Sequence, residues 1–441
     1  MKEIHPADPL LSKLLPKAKP LPGVVCVPSL YAYAFECDGE KYVFNTLTKQ
    51  CFKTVLPEKA SAGEGFDDLI GNYFLVPEGK DECAFYESIS AMMRLYTKRK
   101  EPLGYVILPT LRCNARCVYC YEEGRPQDNM SRETAEAVLR FILDNRGNKK
   151  VGLNWFGGEP LLRQDIIDFI STGLKDKGVE YSSVIVSNGS LITPAVIEKM
   201  LGLWRTARIQ ISMDGAEADY IARKRYYTDA DQYHTVIRNI SLLSEAGITV
   251  SLRINVDEEN WPRVPEYLDD LTRLVAHKEN VLVYFSPLMA VRAGENDLDF
   301  WKKVISAAHL IDEAGFRPLA YTEAGMRFRV TRCMADSGAV VITPDGGLYP
   351  CEHCPEGSRF GDVFNGVTDE AARREFCRTD RTREMCRNCP MLPDCTSLAS
   401  CPWVDAHCRE AHEMLALNTL KRMVRRVGKE DEAPDANDYM C

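Results

Sequence analysis

Six strand-like runs, each followed by a helix-like run, fill the chain between Gly104 and Gly315. The apolar, β-branched runs are GYVILPT (104–110), VGLNWF (151–156), YSSVIVS (181–187), RIQISMD (208–214), TVSLRIN (249–255) and VLVYFSP (281–287). The intervening helical runs carry their own start and stop signals. Ser131 is placed to cap the first, Glu133 complements its dipole, and Gly147 ends it. Thr193 followed by Pro194 opens the third, and a last helix is expected over 297–314. Six βα units in succession imply a parallel sheet with right-handed crossovers. A closed barrel of this kind needs eight units, so six leave either an open, doubly wound sheet or an incomplete barrel. Both place chemistry at the C-terminal ends of the strands, where the polar and glycine signals gather: cysteines after the first, GGEP after the second, SNG at the third, SMDG at the fourth and RIN at the fifth.

The rest of the composition narrows the classes of function. A net charge of −9 disfavours nucleic acid, whose phosphates want a basic surface. No apolar run reaches the roughly 18 residues of a membrane helix. The first residues, MKEIHPADPLLSKLLPKAKPLPG, lack the apolar core of a signal peptide, which predicts a cytoplasmic protein with no membrane partner. In a reducing cytosol, clustered cysteines hold metal more often than they form disulfides. Of 17 cysteines, three lie at 113–120, ten lie from 333 onward, and none lies in the 212 residues between Cys120 and Cys333.

Cys113, Cys117 and Cys120 are too many for a dithiol redox pair and one short of a structural zinc site. A Cys-x3-Cys-x2-Cys loop suits three corners of a [4Fe–4S] cube, with the fourth iron open to a small molecule. The alternative is a zinc site completed by a distant histidine. With Tyr119 before the last cysteine and WFGGEP at 155–160, the pattern over about 105–290 resembles the radical S-adenosylmethionine (SAM) superfamily. The resemblance implies a partial (β/α)6 TIM-like barrel. It implies that SAM chelates the open iron, and that an electron from the cluster cleaves SAM to methionine and a 5′-deoxyadenosyl radical that abstracts hydrogen from a substrate carbon. By the same resemblance, Gly157 and Gly158 let the backbone approach the SAM ammonium group, and Glu159 complements its charge. Ser187, and Asp214 or Ser212, are candidates for ribose or methionine contacts. Arg253 is a candidate for the SAM carboxylate, Asn255 sits one pleat beyond it, and Tyr119 lies beside the adenine. SNG and MDG are also ordinary turn-formers, and a barrel-mouth salt bridge is the plain alternative for Arg253.

From Cys333 the text becomes loop-rich and poor in apolar residues, so it is expected to fold around metal. TPDGGLYPC reads as two short strands around Asp345-Gly346. The cysteine series is similar to the SPASM extension of radical SAM enzymes, which implies two auxiliary [4Fe–4S] clusters and three in all. One would take Cys333, Cys351 and Cys401, the other Cys386, Cys389, Cys395 and Cys408. Five residues separate Cys395 from Cys401 where the family usually has three, and no cysteine lies between Cys333 and Cys351. Cys354 or Cys377 is left to complete the first cluster, or one iron is open. Glu352, directly after Cys351, is the candidate general base, with a solvated surface glutamate as its plain alternative.

Residues 29–55 read as a strand meander with turns at Asp38-Gly39 and TLTK, and helices follow near 64–72 and 83–98. This order resembles the winged-helix module of peptide-modifying enzymes, which implies a leader peptide bound as an added strand. A small packing domain on the barrel is the alternative. The expected organisation is an α+β domain over 1–100, the radical SAM barrel over 101–320, the SPASM region over 321–428 and an acidic tail over 429–441. Together these features resemble peptide-maturing enzymes. They imply a thioether or carbon–carbon cross-link in a ribosomally made precursor peptide, with flavodoxin or ferredoxin as electron donor. The rivals are a sulfatase-maturing enzyme that makes formylglycine, and a non-catalytic iron–sulfur carrier or sensor.

Overall fold

The computed structural model of the 441-residue chain describes residues 1–97, 103–120, 122–124, 126–288, 297–318, 328, 330, 338–352, 356–376, 386–395 and 408–430. The N-terminal part runs β1 (Lys2–His5), α1 (Leu11–Leu14), β2 (Cys26–Pro28), β3 (Ala32–Cys37), β4 (Glu40–Asn45), β5 (Cys51–Lys53), α2 (Asp67–Gly71), β6 (Leu75–Pro77) and α3 (Glu82–Thr97). Four of the strands form an antiparallel sheet in the order β1-β5-β4-β3, and β2 pairs with β6. The β3–β4 hairpin turns on Asp38 and Gly39, both at positive φ (52° and 79°), which matches the right-handed twist of the paired strands.

The body contains β7 (Leu103–Thr110), β8 (Val151–Gly157), β9 (Tyr181–Ser187), β10 (Thr206–Met213), β11 (Thr249–Val256) and β12 (Val281–Pro287). These six pair in parallel and lie side by side in chain order. That order decides between the two folds left open by the strand count. A doubly wound sheet reverses direction at a switch point, whereas a sheet that grows one way curls into a barrel. This one is a partial barrel. Its edges are extended by β13 (Arg317–Pro318) beside β12 and by β14 (Val340–Ile342), which runs parallel to β7. β14 forms the expected hairpin with β15 (Gly347–Tyr349), and β16 (Gly361–Asp362) and β17 (Gly366–Val367) continue the same sheet. The start of the cysteine-rich region is therefore welded to the barrel through β7.

The covering helices are α4 (Arg132–Asn145), α5 (Gln164–Asp176), α6 (Pro194–Leu201), α7 (Glu217–Lys224), α8 (Gln232–Glu245), α9 (Val264–Leu274), α10 (Asp297–Ser306) and α11 (His309–Glu313). Ser131 and Thr193 cap α4 and α6 by accepting from the Thr134 and Val196 amides. The helix expected over 297–314 is divided into α10 and α11, and α7 is an additional short helix after the fourth strand. Trp155, Ile185, Ile211, Leu252 and Val283 point from the sheet into the core beneath these helices, against Ile142, Ile170, Ile240 and Leu271. Alternation then turns their neighbours, including Gln210, Ser212, Arg253 and Tyr284, toward the barrel lumen. The C-terminal helix Cys408–Glu430 bridges the two parts. Its Leu420 and Val424 pack on Phe35 and Phe44, while Asn418 donates to the Ile305 carbonyl at 3.0 Å. It reaches into the expected acidic tail, whose residues 431–441 lie outside the described residues. Among the described residues, no helix is long and apolar enough to cross a membrane.

Candidate active site

Cys113, Cys117 and Cys120 follow β7 directly and are partly buried. The loop that carries them is gripped by the segment after α7. The Arg116 amide donates to the Lys224 and Arg225 carbonyls, Val118 donates to Arg223, and Tyr227 donates to the Asn114 carbonyl, all within 3.1 Å. Arg225 adopts a left-handed conformation at the end of α7, which turns the chain back across the loop. From the other side, Asn188 donates to Asn114 at 2.7 Å, and Asn114 to Ser190 at 2.9 Å. A cavity of about 390 Å3 opens on the loop and is lined by all three cysteines with Leu111, Arg116 and Arg225.

The GGE stretch locks onto the same loop. A Cβ at Gly157 would overlap the Thr110 carbonyl oxygen, and one at Gly158 the Arg112 carbonyl oxygen. Gly158 and Glu159 donate to those same carbonyls at 3.1 and 2.9 Å. The glycines thus permit backbone to meet backbone. Glu159 is fully buried and its carboxylate is engaged by the protein itself, accepting from the Leu161 amide (3.1 Å), the Asn188 amide (2.8 Å) and the Ser187 hydroxyl (2.9 Å). Burial pushes its pKa up to about 7 despite these donors. Ser187 is likewise internal, since its hydroxyl also accepts from the Gly189 amide at 3.0 Å. Both residues tie the second strand end to the third.

Tyr119, Asp214, Asn255 and Ser212 come together in a buried network below the loop. The Tyr119 hydroxyl donates to Asp214 at 2.5 Å, and Asn255 donates to both, each at 3.0 Å. Lys224 donates to Ser212 at 2.6 Å, and its Nζ lies 3.8 Å from Asp214 Oδ2. Burial is the largest single influence on Lys224 and acts to lower its pKa, but Asp214, Tyr119, Cys117 and Tyr220 together outweigh it and the ammonium stands well above its ordinary value. Beside it, Arg223 is held by Asp257 through contacts of 2.6 and 3.2 Å. Lys224 and Arg223 were not singled out by their types or spacing, and Asn188 only as the middle of the SNG stretch. The available signal was helical periodicity, because positions 223 and 224 follow Tyr220 by three and four residues on the buried face of α7. Arg253 stands apart from the network, its buried Nε having no acceptor among the described residues.

The donor chemistry fits an iron–sulfur cluster with SAM. Burial, with the Glu159 charge second, pushes the Cys113 thiol up to about 12, and burial raises Cys117 and Cys120 as well. Thiols so enclosed ionise against a bound cation. A single tetrahedral zinc would draw its sulfurs to about 3.8 Å of one another. Among the described residues, the group of three donors that closes within 4.8 Å is instead the surface set Glu217, Asp231 and His234. The wider thiol triad is suited to the corners of a cube.

In the second cysteine region, Cys386, Cys389 and Cys395 lie in one succession of tight turns, with amide-to-carbonyl contacts of 2.9 to 3.2 Å. Cys386 and Cys389 pack against Leu11, Tyr31, Leu47 and Tyr86 of the N-terminal part. Lys49, fully buried, is ion-paired with Asp394, and Thr46 donates to the Pro390 carbonyl at 2.7 Å. Cys351 donates to Glu352 at 3.6 Å. Cys333, Cys354, Cys377 and Cys401, and the side chain of Cys408, lie outside the described residues.

A three-thiol loop at the C-terminal mouth of a singly wound parallel sheet, locked to a GGE turn, defines a radical SAM domain. Residues 107–271 match the Radical SAM superfamily, and the chain carries that domain. Among curated proteins, a probable GTP 3′,8-cyclase of Halobacterium salinarum is 27% identical over 288 residues, spanning 62% of this chain and 73% of that protein. The antilisterial bacteriocin subtilosin biosynthesis protein AlbA of Bacillus subtilis is 24% identical over 272 residues, 60% of this chain and 58% of AlbA. Among solved structures, native anSMEcpe with bound AdoMet and Cp18Cys peptide shares the fold, with a TM-score of 0.58 at 17% identity over 75% of this chain and all of that one.

Proposed function

We propose that this chain is a radical SAM oxidoreductase that abstracts hydrogen from a residue of a ribosomally made precursor peptide and installs a thioether or carbon–carbon cross-link. The observation that carries the reading is the docking of a second cysteine turn, Cys386–Cys395, onto an antiparallel N-terminal sheet. Among the described residues the outer strands of that sheet, β1 and β3, each pair on one side. An open strand edge suits an extended peptide, which adds by main-chain hydrogen bonds. A relative named for bacteriocin biosynthesis accords with this substrate class.

Bound at Cys113, Cys117 and Cys120, the cluster with SAM supplies a radical strong enough to remove hydrogen from an unactivated carbon. The chain's own residues do the rest. Residues 223–227 and Asn188 hold the thiol loop in place. Arg253 offers an unsatisfied donor from the lumen side of β11, suited to a carboxylate. Glu352 is the proton acceptor for oxidation of the substrate. Cys333, Cys351 and Cys401, with Cys354 or Cys377, hold one auxiliary cluster, and Cys386, Cys389, Cys395 and Cys408 hold the other. Flavodoxin or ferredoxin supplies the electron, and the site is cytoplasmic.

The reconstituted enzyme with reductant and SAM is expected to release 5′-deoxyadenosine, and the Cys113→Ala/Cys117→Ala/Cys120→Ala variant to release none. A peptide encoded beside the gene is expected to lose two hydrogens without gaining a carbonyl that a hydrazide captures. Hydrazide capture would instead support formylglycine chemistry, and absence of 5′-deoxyadenosine from the wild-type reaction would overturn the reading.

A further inference from the structure

Lys224 places a buried cation under the thiol loop. Its side chain is 2% exposed and its Nζ lies 5.9 Å from the centre of the Tyr119 ring. Its backbone carbonyl accepts from the Arg116 amide, between Cys113 and Cys117. The side chain and backbone of one residue therefore anchor both the polar network and the loop above it. The adjacent Arg223 is neutralised at close range by Asp257. Lys224 is less completely neutralised: its nearest carboxylate is 3.8 Å away and also accepts from Tyr119 and Asn255.

We propose that Lys224 is a positioning residue whose buried ammonium sets the reduction potential of the iron–sulfur cluster held by Cys113, Cys117 and Cys120. The proposal rests on the functional reading above. A cluster bound by thiolates becomes more negative when it takes an electron, and a fixed cation nearby stabilises that added charge. In a water-poor interior the interaction is screened far less than at the surface. Lys224 thus makes the cluster easier to reduce, while its contact with Ser212 keeps the charge in one place.

The test is an EPR-monitored redox titration of the reconstituted full chain, following the signal that is lost in the Cys113→Ala/Cys117→Ala/Cys120→Ala variant. Lys224→Met is expected to keep the wild-type iron content and to shift the midpoint to more negative potential. A neutralised buried charge is worth about tenfold in the reduced-to-oxidised ratio at a fixed poise, which is about 59 mV for one electron. Lys224→Arg, which keeps the charge, is expected to restore most of the shift. An unchanged midpoint in Lys224→Met, or equal shifts in both variants, would overturn the proposal. Loss of iron from Lys224→Met alone would overturn it too, by making the residue a strut for the loop. A wild-type chain that shows no such signal would fail in a different way, by overturning the functional reading on which the proposal stands.

Discussion

The two cysteine turns differ in what holds them. Cys113–Cys120 sits at the end of β7 and is fixed by polar contacts from elements of the same barrel: the 223–227 segment, Asn188, and the carbonyls that meet Gly158 and Glu159. Cys386–Cys395 rests on apolar side chains from the N-terminal part of the chain, far away in sequence, and is pinned there by Lys49 with Asp394. A polar cradle fixes direction, because each hydrogen bond has a preferred geometry. Apolar packing fixes proximity, and here one buried ion pair adds the register. The first turn follows from folding of the barrel. The second also needs the N-terminal sheet to dock.

The largest effect that bears on this contrast is expected at Glu159. Glu159→Ala strands the Ser187 hydroxyl and the Leu161 and Asn188 amides in a sealed interior, at about 3 kcal/mol or more. Denaturant melts should show that loss, while alkylation of Cys386 and Cys389 in the native state should stay at the wild-type rate. Faster alkylation there would mean that the two turns are not independently held. A smaller effect is expected at Lys49. Lys49→Met removes a fully buried cation but keeps the apolar stem, and leaves Asp394, 23% exposed, able to hydrate. The cost should be about 1–2 kcal/mol, and alkylation should now accelerate at Cys386 and Cys389 but not at Cys113.

The smallest effect concerns the Arg223–Asp257 pair behind the first turn. Burial acts to raise the Asp257 carboxyl, but Arg223, with the Asn260 and Glu259 amides, holds it below its ordinary value. A depressed carboxylate contributes stability that is fully present above the ordinary carboxylate pKa of about 4 and is lost as the pH falls through the depressed value. Wild-type melts should therefore lose about 1 kcal/mol more than Asp257→Asn melts as the pH drops below about 4. Parallel acid limbs in the two proteins would remove this pair from the account.

Much of the barrel was legible because each unit announces itself locally. The alternation of β-branched runs with capped helices located all six strands to within a few residues, and Ser131 and Thr193 cap as their types suggest. The Asp38-Gly39 turn was equally local. The thiol spacing and the GGE stretch pointed to one site, and the structure brings them into contact. The reasons for individual residues were less accessible. Gly157 and Gly158 were expected to let the backbone approach a ligand, and the structure adds that each leaves room for a carbonyl at or just beyond the end of β7. Ser187, Ser212, Asp214 and Asn255 were expected singly as ligand contacts, and the structure adds that their side chains bond to Glu159, Lys224 and Tyr119. Lys224 was passed over because a lysine near the end of a short helix reads as solvated, until its carbonyl and its ammonium are seen to serve the same loop.

Sequence alone determined the kind of element at each position and the soft-donor chemistry of the 113–120 loop, since propensity, capping and ligand preference act within a few residues. Only the tertiary structure decided that the sheet winds one way, that β14 joins it beside β7, and that a buried lysine lies beneath the thiols. Those outcomes depend on which distant surfaces meet, and on the solvent excluded when they do. No stretch of a few residues carries that information.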